Sequence, residues 1–151
     1  MTRRTTRAEQ LTQLVNDVVL TNGTLLATGD ALTSPAGLTA AQWLVLGFLE
    51  DGPATAADLA RRRGLRRQSV QETVNRLLRS GMLTRAPNPA DARAPLLQLT
   101  TTAQSALHDL GVRQAQWADE VASALSPEDV EVTLRTLAAL RARLAEPPKT
   151  S

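Results

Sequence analysis

Between residues 54 and 95 the chain carries nine arginines (Arg61, Arg62, Arg63, Arg66, Arg67, Arg76, Arg79, Arg85, Arg93) against three acids (Asp58, Glu72, Asp91). The rest of the chain has eight basic and twelve acidic residues, so the positive charge is concentrated in the middle third. Clustered cations on a polyanion are rewarded by counterion release, which favours a phosphate-binding surface; the plainer alternative is a solvated basic face. Interleaved with these arginines are Gln68, Gln71, Glu72 and Asn75. Arginine can bridge guanine O6 and N7, glutamine can read adenine, and a carboxylate can accept from cytosine N4. Arg66, Arg76 and Arg79 add cations suited to phosphates or to pairing with acids.

Other chemistry is poorly provided for. The chain has no cysteine, which excludes disulfides, thiol catalysis and cysteine-ligated metals. Its one histidine, His108, disfavours a multi-histidine metal site or a histidine-dependent triad. There is no nucleophile–base set, phosphate loop or carboxylate cluster at catalytic spacing, so neither an enzyme nor a cofactor is expected. No apolar run approaches the roughly 18 residues of a membrane span, and the opening residues lead into no apolar signal segment. A soluble, cytoplasmic protein is expected. With 151 residues there is room for one domain with appended helices.

The elements that would position the basic residues are marked by local signals. Leu11, Leu14, Val15 and Val18, then Leu25 and Leu26, have helical spacing, with a bend or fray expected at Gly23 and Gly29. Ser34–Gly37 is a loop, and Thr39 with Gln42 forms a capping box for a helix that stops at Asp51-Gly52-Pro53. Thr55 and Asp58 repeat the start signal for a short helix ending near Gly64. A second helix follows, with an apolar stripe of Val70, Val74, Leu77 and Leu78 and an end at Ser80-Gly81. Two short helices about a glycine turn make a helix-turn-helix candidate.

Met82–Arg85 and Leu96–Thr100 are strand-like, joined by a loop with three prolines. A helix then runs from about Thr102 to Leu125, with Leu107, Leu110, Trp117, Val121 and Leu125 on one side. Ser126-Pro127-Glu128-Asp129 starts a last helix, whose buried face is expected at Leu134, Leu137, Leu140 and Leu144 and whose end is expected at Pro147-Pro148. The expected fold is mainly α with a small β-wing: a winged helix-turn-helix flanked by N- and C-terminal dimerisation helices. The parts are residues 1–37, 38–101 and 102–151 of one interlocked unit.

The ordered set of motifs resembles the MarR (multiple-antibiotic-resistance regulator) family of winged-helix transcription factors. It runs Leu38-Thr39-x-x-Gln42, Gly52-Pro53-x-Thr55-x-x-Asp58-Leu59-Ala60, Gly64-Leu65-x-Arg67-Gln68-Ser69-Val70, Asn75-Arg76-Leu77, Gly81-x-Leu83-x-Arg85 and Pro87-x-Pro89-x-Asp91-x-Arg93-Ala94. Departures are Arg66 in place of a capping Ser or Asp, Glu72 in place of Arg or Lys, Asn75 in place of Asp, Ala92 in place of a second basic wing residue, and Ala103 in place of Gly.

The resemblance implies a sequence-specific regulator of double-stranded DNA, most simply a repressor, acting as a homodimer on a pseudo-palindromic operator. The recognition helix would offer Arg66, Arg67, Gln68, Gln71, Glu72, Asn75, Arg76 and Arg79, and the wing Arg85, Asp91 and Arg93. Arg93 at a proline-stiffened tip would sense a narrow minor groove, unless it pairs with Asp91 instead. Dimer contacts would fall on Leu11, Val18, Leu137, Leu140 and Leu144, although an intrachain bundle would use the last three equally well. Family members release DNA on binding a small aromatic or phenolic ligand; Trp43 and His108 are the pocket candidates, with a core role the competing reading for Trp43. A helical dimer scaffold that retains the winged fold without binding DNA is the alternative function.

Overall fold

The computed structural model describes residues 5–146, and the chain divides into two compact units, one ending at Gly111 and the other beginning at Val112. In the first unit, helix α1 (Thr6–Thr33) is followed by a single 3-10 turn (Ser34–Ala36) and by α2 (Ala40–Phe48), α3 (Ala56–Arg63) and α4 (Arg67–Arg79). Strands β1 (Leu83–Ala86) and β2 (Leu96–Leu99) come next, then α5 (Thr101–Ala122), which begins in this unit.

The local start signals hold. The Thr39 hydroxyl accepts from the Gln42 amide while Gln42 Oε1 accepts from the Thr39 amide, and Thr55 and Asp58 do the same for α3. Each box satisfies two amide donors that the first helical turn otherwise leaves open. Gly64 ends α3 with φ +61, and Gly81 follows α4 with φ +72, the left-handed conformation that costs glycine least. Arg66 stands at the N-cap of α4 without a side-chain cap, as its departure from the family pattern implies.

Val70, Val74 and Leu77 are buried and Leu78 is half-buried, so the α4 stripe enters a core with Leu46 of α2, Leu59 of α3, and Leu107 and Leu110 of α5. β1 and β2 pair antiparallel in the register Leu83↔Leu99 to Ala86↔Leu96. A bridge that the sequence did not suggest joins Ala54 to Leu97 and ties the approach to α3 onto the hairpin.

Four expectations are corrected. First, α1 runs unbroken through Gly23 and Gly29; Gly29 is buried against α2, where an ideal Cβ would stand only 2.8 Å from Ala40 Cβ. Second, α2 stops at Phe48, ahead of Asp51-Gly52-Pro53, with Leu49 as its C-cap. Third, α5 ends at Ala122, and Val121 and Leu125 are exposed.

The fourth correction concerns the second unit, which holds the end of α5 and helix α6 (Pro127–Leu144). α6 is capped by Ser126 with Pro127 in its first turn, but none of its residues is buried in the single chain. Leu134 and Leu144 are 63% and 72% exposed, and Leu137 and Leu140 are half-buried. Within its own unit nothing covers this stripe fully. Pro147-Pro148 lie outside the described residues.

Candidate nucleic-acid interface

With the apolar stripe turned inward, helical geometry sends the opposite face of α4 to solvent. Arg67, Gln68, Gln71, Glu72, Arg76 and Arg79 are exposed and Asn75 is half-buried. Two side-chain pairs run along this face. Gln71 Nε2 donates to Asn75 Oδ1 at 3.0 Å, and Gln68 Nε2 reaches Glu72 Oε1 at 3.5 Å. Asn75 is thus engaged along its own helix by Gln71.

The wing is ordered by its own polar side chains. Asn88 Nδ2 donates to the Ala94 carbonyl at 2.8 Å, and Asn88 Oδ1 accepts from the Ala90 amide at 3.1 Å. Asp91 Oδ1 accepts from the Arg93 backbone amide at 2.9 Å. Asp91 therefore shapes the turn through the backbone of Arg93, and both residues are exposed. Such Asx turns, with the flanking prolines, lower the entropy that the tip loses on docking.

α4 and the wing meet in one cleft. A cavity of about 370 Å³ is lined by Arg67 and Gln71 from α4, Arg85 and Arg93 from the hairpin, and Thr55 and Ala57 at the start of α3, among others. Three arginines thus line one groove, together with a glutamine whose amide can both donate and accept. Gln68, Glu72, Asn75, Arg66, Arg76, Arg79 and Asp91 stand outside its lining. Thr55, Ala57 and Pro95 are lining residues that the sequence reading missed; Thr55 signalled only a helix cap.

The other arginines are partly occupied. Among the described residues, ion pairs join Arg61 to Asp58 at 2.5 Å, Arg135 to Glu131 at 2.5 Å, and Arg143 to Glu146. The Arg63 guanidinium lies 4.2 Å from the centre of the Phe48 ring and donates to the Leu44 carbonyl at 3.4 Å. Burial lowers its pKa from the ordinary arginine value. Asp58 is held below the usual carboxylate range, first by the Thr55 hydroxyl and amide and then by Arg61. Arg66, Arg67, Arg76, Arg79, Arg85 and Arg93 belong to no ion pair among the described residues, which leaves them available to an external anion.

A second cavity of about 230 Å³ lies behind α4 and is almost wholly apolar, with Leu26, Leu44, Phe48, Leu59 and Val70 in its wall and Arg63 beside them. Neither ligand-pocket candidate lines it. Trp43 is half-buried against the hydrophobic core, and His108 is exposed on α5.

This arrangement has counterparts. A model of the MarR family matches residues 36–94, which hold α2, α3, α4, β1 and the wing loop as far as Ala94. A protein of Mycobacterium tuberculosis, itself uncharacterised, is 30% identical over 130 residues, covering 86% of this chain and 91% of the relative. The chain belongs to the MarR family.

Solved MarR structures share its fold. A mutant of Escherichia coli MarR complexed with operator DNA superposes with a TM-score of 0.76 at 23% identity, covering 87% of this chain and 95% of that one. Staphylococcus aureus MarR in complex with salicylate and kanamycin gives 0.77 at 17% identity, covering 92% and 95%. The mainly α winged helix-turn-helix expected of a DNA-binding MarR-family transcription regulator is therefore the fold observed. Among the described residues no helix is long and apolar enough to cross a membrane, and no cluster of three metal-ligating side chains occurs.

Proposed function

We propose that this MarR-family chain represses transcription as a homodimer bound to a pseudo-palindromic double-stranded operator, and that a small aromatic or phenolic ligand releases it. The observation that carries the reading is the shared cleft of Arg67, Gln71, Arg85 and Arg93. In a winged helix-turn-helix the first half of α4 enters the major groove, where Arg67 meets guanine and Gln71 adenine. Arg93 at the wing tip takes the adjacent minor groove, and Arg85 the phosphates between them. Gln68 and Glu72 add base contacts from the same exposed face, while Arg66, Arg76 and Arg79 hold the backbone on either side. Asp91 keeps the tip in shape. In this reading residues 38–101 grip the duplex and residues 1–37 and 102–151 join the protomers. The protein works where DNA is, in the cytoplasm.

Dimerisation is favoured by apolar surface that a lone chain leaves in water. Leu11 and Val18 on α1 are 48% and 39% exposed, and α6 has Leu144 out beside the half-buried Leu137 and Leu140. Burying such a side chain fully contributes about 1.5–3 kcal/mol. A twofold dimer then carries two α4 helices to half-sites about one helical turn apart. Ligand release is favoured by the apolar cavity behind α4, which has room for a single-ring molecule, and by the salicylate complex of the S. aureus relative. A guest there biases the equilibrium only so far as it prefers one placement of α4 over another.

The test is fluorescence anisotropy with duplexes from the protein's own promoter region, repeated across salt concentrations. With Arg66, Arg76, Arg79 and Arg85 of both protomers on phosphates, log K against log[salt] should fall with a slope of about −7. Sequence-specific, salt-steep binding supports the regulator. Absence of binding at every salt concentration supports the scaffold alternative.

A further inference from the structure

The end of α1 meets the start of α2 in a joint that does more than connect them. Ala40, the first residue of α2, is 4% exposed, and its backbone amide donates to Asp30 Oδ1 of α1 at 2.7 Å. Immediately before Asp30 in the chain, Gly29 lets the Ala40 methyl approach so closely that an ideal Cβ at position 29 would stand 2.8 Å away. Thr33 is fully buried, and its hydroxyl donates to the Gly29 carbonyl at 2.9 Å and lies 3.2 Å from the Asp30 carbonyl. Its own carbonyl accepts from the Leu38 amide at 3.3 Å, which folds the connecting turn back onto α1. The first turn of α2 already has the Thr39–Gln42 capping box, so Asp30 supplies a further acceptor from a different helix.

We infer that Asp30 is a positioning residue that locks α1 to the winged-helix body and so sets the separation of the two recognition helices in the dimer. The inference rests on the homodimer proposed above. α1 carries exposed apolar side chains for the partner, whereas α2 packs on α4. A rotation at the α1–α2 joint therefore becomes a displacement of α4 relative to its copy. The joint resists rotation because Ala40 is pinned by a charge-assisted hydrogen bond to Asp30 and by close packing against Gly29 of α1. Asp30 itself touches no part of the cleft that faces DNA.

The experiment uses the full chain and duplexes that the wild-type protein selects from a random pool. These are resynthesised with one or two base pairs inserted at the centre, each of which moves the half-sites apart by about 3.4 Å and turns them by about 35°. The wild type should lose about tenfold or more in affinity per inserted pair, the scale of a lost base contact. Asp30→Ala should lose less than about threefold on the same duplexes, because a loosened joint lets α4 follow. Asp30→Asn keeps an acceptor at the same position and should restore the wild-type penalty. It also separates geometry from the missing negative charge.

A merely structural role for Asp30 would lower thermal stability without changing the spacing profile. An unchanged profile for folded Asp30→Ala overturns the inference while leaving the dimer reading in place. If circular dichroism shows Asp30→Ala unfolded, Asp30→Glu, which moves the carboxylate by one methylene, replaces it and should flatten the profile; an unchanged profile again overturns the inference. A wild-type protein that sediments as a monomer, or that tolerates every spacing equally, overturns the dimer reading and this inference together.

Discussion

Gly29→Ala is the sharpest test of the contact between α1 and α2. In an exposed helix interior the change should help, because alanine is favoured over glycine by about 0.8–1.0 kcal/mol. Here the new methyl would stand 2.8 Å from Ala40 Cβ, whereas carbon atoms in contact settle at about 3.5–4.0 Å. The helices must therefore part by about 1 Å, because neither methyl has a rotamer to change. Overpacking of this kind costs about 1–3 kcal/mol. The shift also carries the Ala40 amide out of hydrogen-bonding range of Asp30, now 2.7 Å away, a further loss of about 0.5–1.5 kcal/mol.

Against the gain in propensity, the net effect is a destabilisation of about 0.5–4 kcal/mol. Gly23→Ala is the internal control. It lies in the same helix with nothing within 4 Å of an ideal Cβ, and should stabilise by up to about 1 kcal/mol. Urea unfolding followed by circular dichroism, at one fixed protomer concentration, measures both, since association would otherwise shift the midpoints. In the double variant Gly29→Ala/Ala40→Gly the methyl changes sides, and a favourable coupling of about 1 kcal/mol or more should appear. If Gly29→Ala stabilises as much as Gly23→Ala, the close approach is wrong, and the rigid joint argued from it falls too.

Three further predictions concern the cleft and the capping carboxylate of α3. Arg85→Ala should weaken binding to all duplexes alike and make the salt slope shallower by about 2, one phosphate per protomer, in anisotropy titrations. Arg67→Ala should instead cost about 1–3 kcal/mol and relax the preference at one position of each half-site; equal losses on selected and random duplexes would refute a base contact. Because Asp58 is held below its ordinary value of 3.8, the folded state gains from its ionised form. That contribution is fully present above the unfolded value and is lost as pH falls through the lower folded one, so Asp58→Asn should flatten the acid limb of the stability curve in that window. A parallel acid limb in the variant would show that the Thr55 bonds do not favour the charged form.

Much of this protein was legible in single stretches of chain. The Thr39–Gln42 and Thr55–Asp58 boxes, the Gly64 and Gly81 ends, the Ser126 cap and the α4 stripe all act within about four residues, so their physics is complete in the local sequence. Local order also sufficed to name the family, because cap, turn and stripe recur in a fixed succession. Contacts between distant residues were not legible. Gly29 looked like a weakness in α1 because propensity counts only its lost helical preference, and Ala40, eleven residues on, is what makes its missing side chain useful.

The Ala54–Leu97 bridge and the Asp30–Ala40 bond were invisible for the same reason. Within the basic segment the sequence could say which residues leave the core but not which ones meet. Arg67 and Gln71 share a cleft with Arg85 and Arg93, while Gln68 and Glu72 do not line it, a distinction set by how the hairpin folds against α4. The leucines of α6 carry the same lesson in reverse. Their spacing announces an apolar face in sequence, yet only the folded chain shows that nothing in its own unit covers it, because burial depends on a neighbour that helical periodicity cannot supply.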